Sequence, residues 1–203
     1  MKKRSFTLLT IGLFCAILIT AGILFTYKKI QANEASKSNN AVEIVFSGAV
    51  RYSDAIYSKY YLAEYLEQNG LDTSDVIIDH VVYARDELSV VKGLIVYVKC
   101  YKKNGGIIYL TVGIQNNGTI NGYYVLDISD AKGLDLQIKE ESFKSQFEGK
   151  SVPKFVLSYE PDSDNEIREA RGAEDASQAV VNGVNASIYT LEFIDESMGG
   201  LLE

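Results

Sequence analysis

Residues 105–128 read GGIIYLTVGIQNNGTINGYYVLDI. Two β-branched and aromatic runs, 107–115 and 119–128, flank Asn116-Asn117-Gly118. Asn-Gly supplies the positive-φ residues that a primed turn needs, so the stretch predicts an antiparallel hairpin. Working outward, 76–85 and 94–101 are further strand-like runs, and Lys103-Asn104-Gly105-Gly106 is a turn leading into the hairpin. The middle of the chain therefore reads as an antiparallel meander. Beyond it come a loop over 129–136, a short helix over 141–147 ending at Gly149, and a strand over 154–159. A polar stretch, 161–171, precedes a final helix over 175–195, whose apolar stripe is Val180, Val184, Ile188 and Leu191. Before the meander, residues 41–51 mix Val, Ile and Phe in strand-like fashion. Ser53 or Asp54 is then placed to cap a helix running to Gln68 and closed by Asn69-Gly70. Ile56, Tyr60, Leu62 or Tyr65, and Leu66 give that helix a tyrosine-rich stripe. The fold class is α+β: an antiparallel sheet with packed helices, preceded by one N-terminal transmembrane helix.

The transmembrane expectation rests on residues 6–26, FTLLTIGLFCAILITAGILFT, an uncharged run of 21 residues. At about 1.5 Å per residue it spans roughly 31 Å, the hydrocarbon thickness of a bilayer. A cleaved signal peptide would have a shorter apolar region and a small-x-small site, and none stands near Gln31 to Ala35. Cys15 follows Phe14 rather than a small residue, which reads as an apolar helix position and not a lipidation site. Lys2, Lys3 and Arg4 before the span outweigh Lys28 and Lys29 after it, so the N-terminus is expected inside and the rest outside. The expected organisation is a cytoplasmic basic stub and anchor over 1–29, a linker over 30–40, and an extracytoplasmic domain over 41–203.

Composition removes several function classes. The chain has 203 residues with one histidine and two cysteines, too few for a Cys/His zinc site or a serine-histidine hydrolase. The net charge is −7, and taking away the five flanking cations leaves 15 Lys and Arg against 27 Asp and Glu in the exported part. An acidic domain of that kind is not built for nucleic acid. Cys100, in LIVYVKCYKK, has no partner cysteine outside the membrane and reads as a buried small hydrophobe. His80 lies in the strand-like run VIIDHVVYAR and reads as a sheet residue. The acidic residues Asp127 with Asp130, Glu140 with Glu141, and Asp162, Asp164 and Glu166 lack a companion base or calcium-loop spacing and read as solvated surface. No metal site is recognised.

Three segments in order carry a resemblance: 105–128 above, KGLDLQIKEESFKSQFEGKS at 132–151, and RGAEDASQAVVNGVNASI at 171–188. Together they resemble the FMN-binding domain of the G subunit of Rnf-type electron-transport complexes and its relative, the C subunit of sodium-pumping NADH:quinone reductases. The region of resemblance is 105–194. The family pattern is Val-Gly-Ile, a turn and Gly-x-Ile in the hairpin; Phe-x-x-Gln-Phe-x-Gly-Lys in the short helix; and a flavin-attachment turn opening the last helix. The resemblance implies an extracytoplasmic electron-transfer subunit of a membrane redox complex, with the other subunits as partners and FMN as cofactor. It places Gly133, Leu134, Gly172, Ala173, Glu174 and Ser177 at the cofactor. An FMN phosphate suits the amides and dipole of a helix N-terminus, which Gly172-Ala173 would let it approach.

This chain departs from the pattern where the chemistry lies. The family esterifies a threonine in Ser-Gly-Ala-Thr, and here Arg171 and Glu174 stand at the serine and threonine positions. Arg168 replaces the acidic residue six positions earlier. The loop usually Glu-Thr-Pro-Gly-Leu-Gly is Asp130-Ala131-Lys132-Gly133-Leu134-Asp135. Glu174 has no hydroxyl to esterify, so the flavin is expected to be noncovalent. A carboxylate in a first helical turn gains about 0.3–1 kcal/mol from the exposed amides, so Glu174 and Asp175 can fill the niche that phosphate fills in relatives. The competing expectation is a flavin-free binding or structural module that keeps the fold. No independent catalytic site is recognised under either.

Overall fold

The computed structural model describes residues 40–129 and 133–198. The chain divides into two units, 1–39 and 40–203, and only the second is described. The anchor expected over 6–26 lies outside the described residues, as do Cys15, Asp130, Ala131 and Lys132. Among the described residues no helix is long and apolar enough to cross a membrane.

The architecture is α+β. A five-stranded antiparallel sheet runs β1 (Arg51–Asp54), β2 (Val76–Arg85), β3 (Val91–Tyr101), β4 (Ile107–Gln115) and β5 (Ile120–Ile128), each beside its sequence neighbour. The expected hairpin is β4–β5: Gly118 has φ +80°, its amide donates to the Gln115 carbonyl at 2.9 Å, and Val112 pairs with Tyr123. Helix α4 (Glu174–Met198) lies on one face of the sheet. All four residues of its expected stripe are buried, with Ala176, Ala179 and Val181 beside them. Each of the Val, Ile and Leu side chains taken from water contributes about 1.5–3 kcal/mol, and the alanines less. Gly183 lets α4 approach closely, because a Cβ there would stand 2.5 Å from Cys100 Sγ.

The opposite face corrects one expectation. Residues 41–51 are not a strand: 40–45 are helical (α1), and the first strand begins only at Arg51. Ala41 and Val45 are fully buried and Phe46 nearly so, while Glu43 and Ile44 face out. That is helical spacing, hidden by a β-branched composition. The end of α1 sits on Gly113, where a Cβ would lie 2.0 Å from the Val45 carbonyl oxygen. Because α4 covers one face of β3 and α1 the other, β3 is buried continuously from Gly93 to Val98 instead of alternating.

Helix α2 spans Lys59–Gln68, starting later than Ser53 or Asp54 would place it. Those two residues are spent on β1, opposite Tyr83 and Val82. Ser58 is the cap, accepting from the Tyr61 amide, and Gly70 at φ +78° closes the end. Leu62 and Leu66 face the core with Tyr65 against Phe193, whereas Ile56 and Tyr60 are exposed. The expected loop over 129–136 is partly a 3-10 segment, Gly133–Lys139. Helix α3 is only Glu141–Lys144, with turns carrying the chain to Gly149 at φ +74°. The polar stretch over 161–171 contains a strand, β7 (Glu166–Arg168), parallel to β6 (Val156–Ser158).

Candidate functional site

The Phe-x-x-Gln-Phe-x-Gly-Lys segment resolves into packing and positioning roles. Phe143 and Phe147 join Tyr123 and Phe155 in an aromatic cluster, with centroids 5.1–5.7 Å from the Phe147 ring. Gln146 grips the backbone of Arg168 twice, donating to its carbonyl at 3.2 Å and accepting from its amide at 2.7 Å. Lys150 and Gly149 pair with Ile120 at the start of β5, at 2.9 and 2.8 Å. Asn185, a polar residue facing inward from α4, closes the frame by bonding both the amide and carbonyl of Phe155 at 2.8 and 2.9 Å. These contacts fix where β7 ends, and so where the chain turns into α4.

At that turn Gly172 adopts φ +78°. Ala173 donates to the Ala170 carbonyl at 2.8 Å, and the Glu174 carboxylate accepts the Gly172 amide at 3.1 Å. The turn faces the 3-10 segment and the β3–β4 connection around a cavity of about 370 Å³, toward the lower end of small-molecule sites. Gly133, Leu134, Gly172, Ala173 and Glu174 all line it, so five of the six site residues expected from the sequence meet there. Leu134 folds over the turn: a Cβ on Gly172 would lie 2.7 Å from Leu134 Cδ1. Ser177 does not line the cavity. It is fully buried, and its hydroxyl accepts from the Ala170 amide at 2.9 Å, holding the turn from behind.

Asn104, Asp135 and Asp175 complete the lining. Asn104 was legible only as part of a turn. Asp135 makes a buried ion pair with Lys102, Nζ to Oδ2 2.7 Å, with side chains 0% and 6% exposed. The pair ties the 3-10 segment to the β3–β4 connection. Gly106, at φ +87°, leaves room for the lysine stem, since a Cβ there would meet Lys102 Cε at 3.0 Å. Nothing in the spacing of positions 102 and 135 signals this pair, because the two residues meet only through the sheet. Arg168 and Arg171 line a neighbouring depression of about 260 Å³ with Gln137 and Gln146.

Among the described residues, the cavity is lined by carboxylates, a carboxamide, Leu134 and backbone, with no nucleophile beside a base. The other titratable groups lie elsewhere. Burial pushes the Cys100 thiol far above its ordinary range, leaving an unreactive core thiol against α4. His80 stacks on Tyr97, centroids 3.9 Å apart, with Nδ1 3.2 Å from Asp79 on β2. Among the described residues no group of three or more His, Cys, Asp or Glu could hold a metal.

No family profile and no curated protein matches the chain. Among solved structures the fold is similar to the crystal structure of Shewanella oneidensis NqrC, at TM-score 0.48 and 14% identity. The match covers 59% of this chain and 60% of that one, less than two thirds of its length.

The residues present fit a flavin unevenly. Small and apolar positions (Gly133, Leu134, Gly172, Ala173) suit a flat ring. The phosphate end does not fit, because the Gly172 amide is already taken by Glu174 and no hydroxyl stands at position 174.

Proposed function

We propose that the protein is a membrane-anchored, extracytoplasmic flavin module: a divergent electron-transfer subunit of a membrane redox complex, which holds its flavin noncovalently. The observation that carries this reading is the convergence of Gly133, Leu134, Gly172, Ala173 and Glu174 on one cavity, from segments 38 or more residues apart. The three-segment resemblance supports the ligand class and the redox setting. The 21-residue apolar run and its basic N-terminal flank support the anchor and its orientation. The ring-sized, glycine-floored cavity is the chain's contribution. Its carboxylates leave it without a group that could form a phosphoester. The test is a titration of flavin fluorescence with the purified full chain in detergent, alongside thermal melting. Saturable quenching and a raised melting temperature are expected; neither effect at any flavin tested would remove the reading.

One observation favours a second reading, a flavin-free structural or partner-binding module. The Glu174 carboxylate satisfies the Gly172 amide with no ligand at all. The same titration separates the two.

A further inference from the structure

The polar groups around the cavity carry a charge preference of their own. Glu174 takes the Gly172 amide at 3.1 Å, a donor that an anion at this helix N-terminus would use. Asp175 adds a second carboxylate to the first turn of α4 and also lines the cavity. Across from them, buried Asp135 holds the Lys102 ammonium at 2.7 Å. Arg168 and Arg171 open onto the neighbouring depression instead. Among the described residues lining the cavity, none is a lysine or arginine.

A phosphate entering here would face the carboxylates of Glu174 and Asp175, while the charge of Asp135 is matched by Lys102. The helix dipole that would have attracted it is already complemented by Glu174 and Asp175. We propose that the cavity is a phosphate-excluding flavin site, which takes an uncharged flavin of the riboflavin class and rejects phosphate-bearing FMN. Its carboxylates accept hydrogen bonds, which suits the hydroxyls of a neutral ribityl chain. The proposal rests on the flavin reading above and names the form of the ligand.

Equilibrium dialysis of the full chain in detergent, with riboflavin and with FMN as probes, tests it. At low ionic strength riboflavin is expected to bind at least about tenfold more tightly, because close like charges repel in a partly water-excluded cleft. In about 1 M salt, where the screening length is roughly 3 Å, the ratio should fall while riboflavin binding stays constant. Glu174→Gln keeps an oxygen for the Gly172 amide but removes the charge, and should narrow the ratio several-fold. Asp175→Asn is a second variant for the same purpose, with thermal melting as the check on folding. FMN binding as tightly as riboflavin would overturn the proposal and leave the flavin reading standing. Failure of both probes would overturn the two together. A preference for riboflavin that neither salt nor either substitution alters would also overturn it, since charge would then not be the cause.

Discussion

Gly113 and Gly172 stand in two regions that use the same device for different ends. Each lacks a Cβ where one would collide with a neighbour. At Gly113, in the sheet, the neighbour is the Val45 carbonyl at 2.0 Å, which is backbone and cannot turn aside. At Gly172, beside the cavity, it is the tip of Leu134 at 2.7 Å, which can rotate, but φ is +78°. The first glycine serves packing between α1 and the sheet. The second shapes a turn whose side chains then decide what binds. The frame of this fold is thus set by contacts that tolerate little, whereas Glu174 and Asp175 put charge at the cavity on first-turn side chains that can change without disturbing it.

The largest effect that would blur this division comes from beneath the cavity. Lys102→Met leaves Asp135 buried beside an apolar chain and should cost about 3–5 kcal/mol in chemical denaturation. Replacing both residues, Lys102→Met with Asp135→Leu, should recover most of that loss. If the single substitution costs under about 1 kcal/mol, the pair does not tie the 3-10 segment to the sheet.

Gly113→Ala comes next. Its Cβ forces the end of α1 off β4, an overpacking cost of about 2–3 kcal/mol measurable by the same denaturation. Gly172→Ala should cost less, about 1–2 kcal/mol, because only the left-handed backbone conformation is penalised once Leu134 moves. The ordering matters more than either value: Gly172→Ala costing more than Gly113→Ala would reverse the contrast drawn between the two regions.

How much of this was open to a reader of the sequence follows the same line. Strands β2 to β5, the Asn117-Gly118 turn and the stripe of α4 were legible because local periodicity and turn chemistry agree with the tertiary structure. The helical 40–45 was not, since Val42, Ile44, Val45 and Phe46 look strand-like until one knows that Gly113 leaves a seat for them. The start of α2 was misplaced because Ser53 and Ser58 are equally good caps in isolation, and the pairing of β1 with β2 decides between them. At the site, Gly133, Leu134, Gly172, Ala173 and Glu174 came from motif resemblance. Ser177 belongs to the turn's support, where its hydroxyl meets Ala170. Lys102 was invisible, as pairs made across a sheet leave no spacing to read.

The smallest effect lies on the exposed surface, far from both glycines in sequence. A hydrogen bond from Lys99 holds the Asp79 carboxyl below its ordinary range, with His80 adding to it. A depressed carboxyl contributes stability that is complete above the ordinary value of about 3.9 and is lost as pH falls through the lowered one. Lys99→Met should therefore cost about 0.2–1 kcal/mol at neutral pH, and the gap from the parent chain should close toward pH 2. Glu192 has the opposite sign: burial and then Glu196 raise its carboxyl, so its ionisation opposes folding as pH rises through the raised value. A stability difference for Lys99→Met that grows on acidification would contradict the assignment at Asp79.

The central claim, a noncovalent flavin in the cavity between Gly133 and Gly172, is tested most directly by acid precipitation. The full chain, expressed together with a flavin transferase and purified without added cofactor, is precipitated, and flavin fluorescence is measured in pellet and supernatant. All of the flavin is expected in the supernatant, with the intact mass of the polypeptide unmodified. Flavin retained on the precipitated chain, or no flavin in either fraction and none taken up on later titration, would contradict the account.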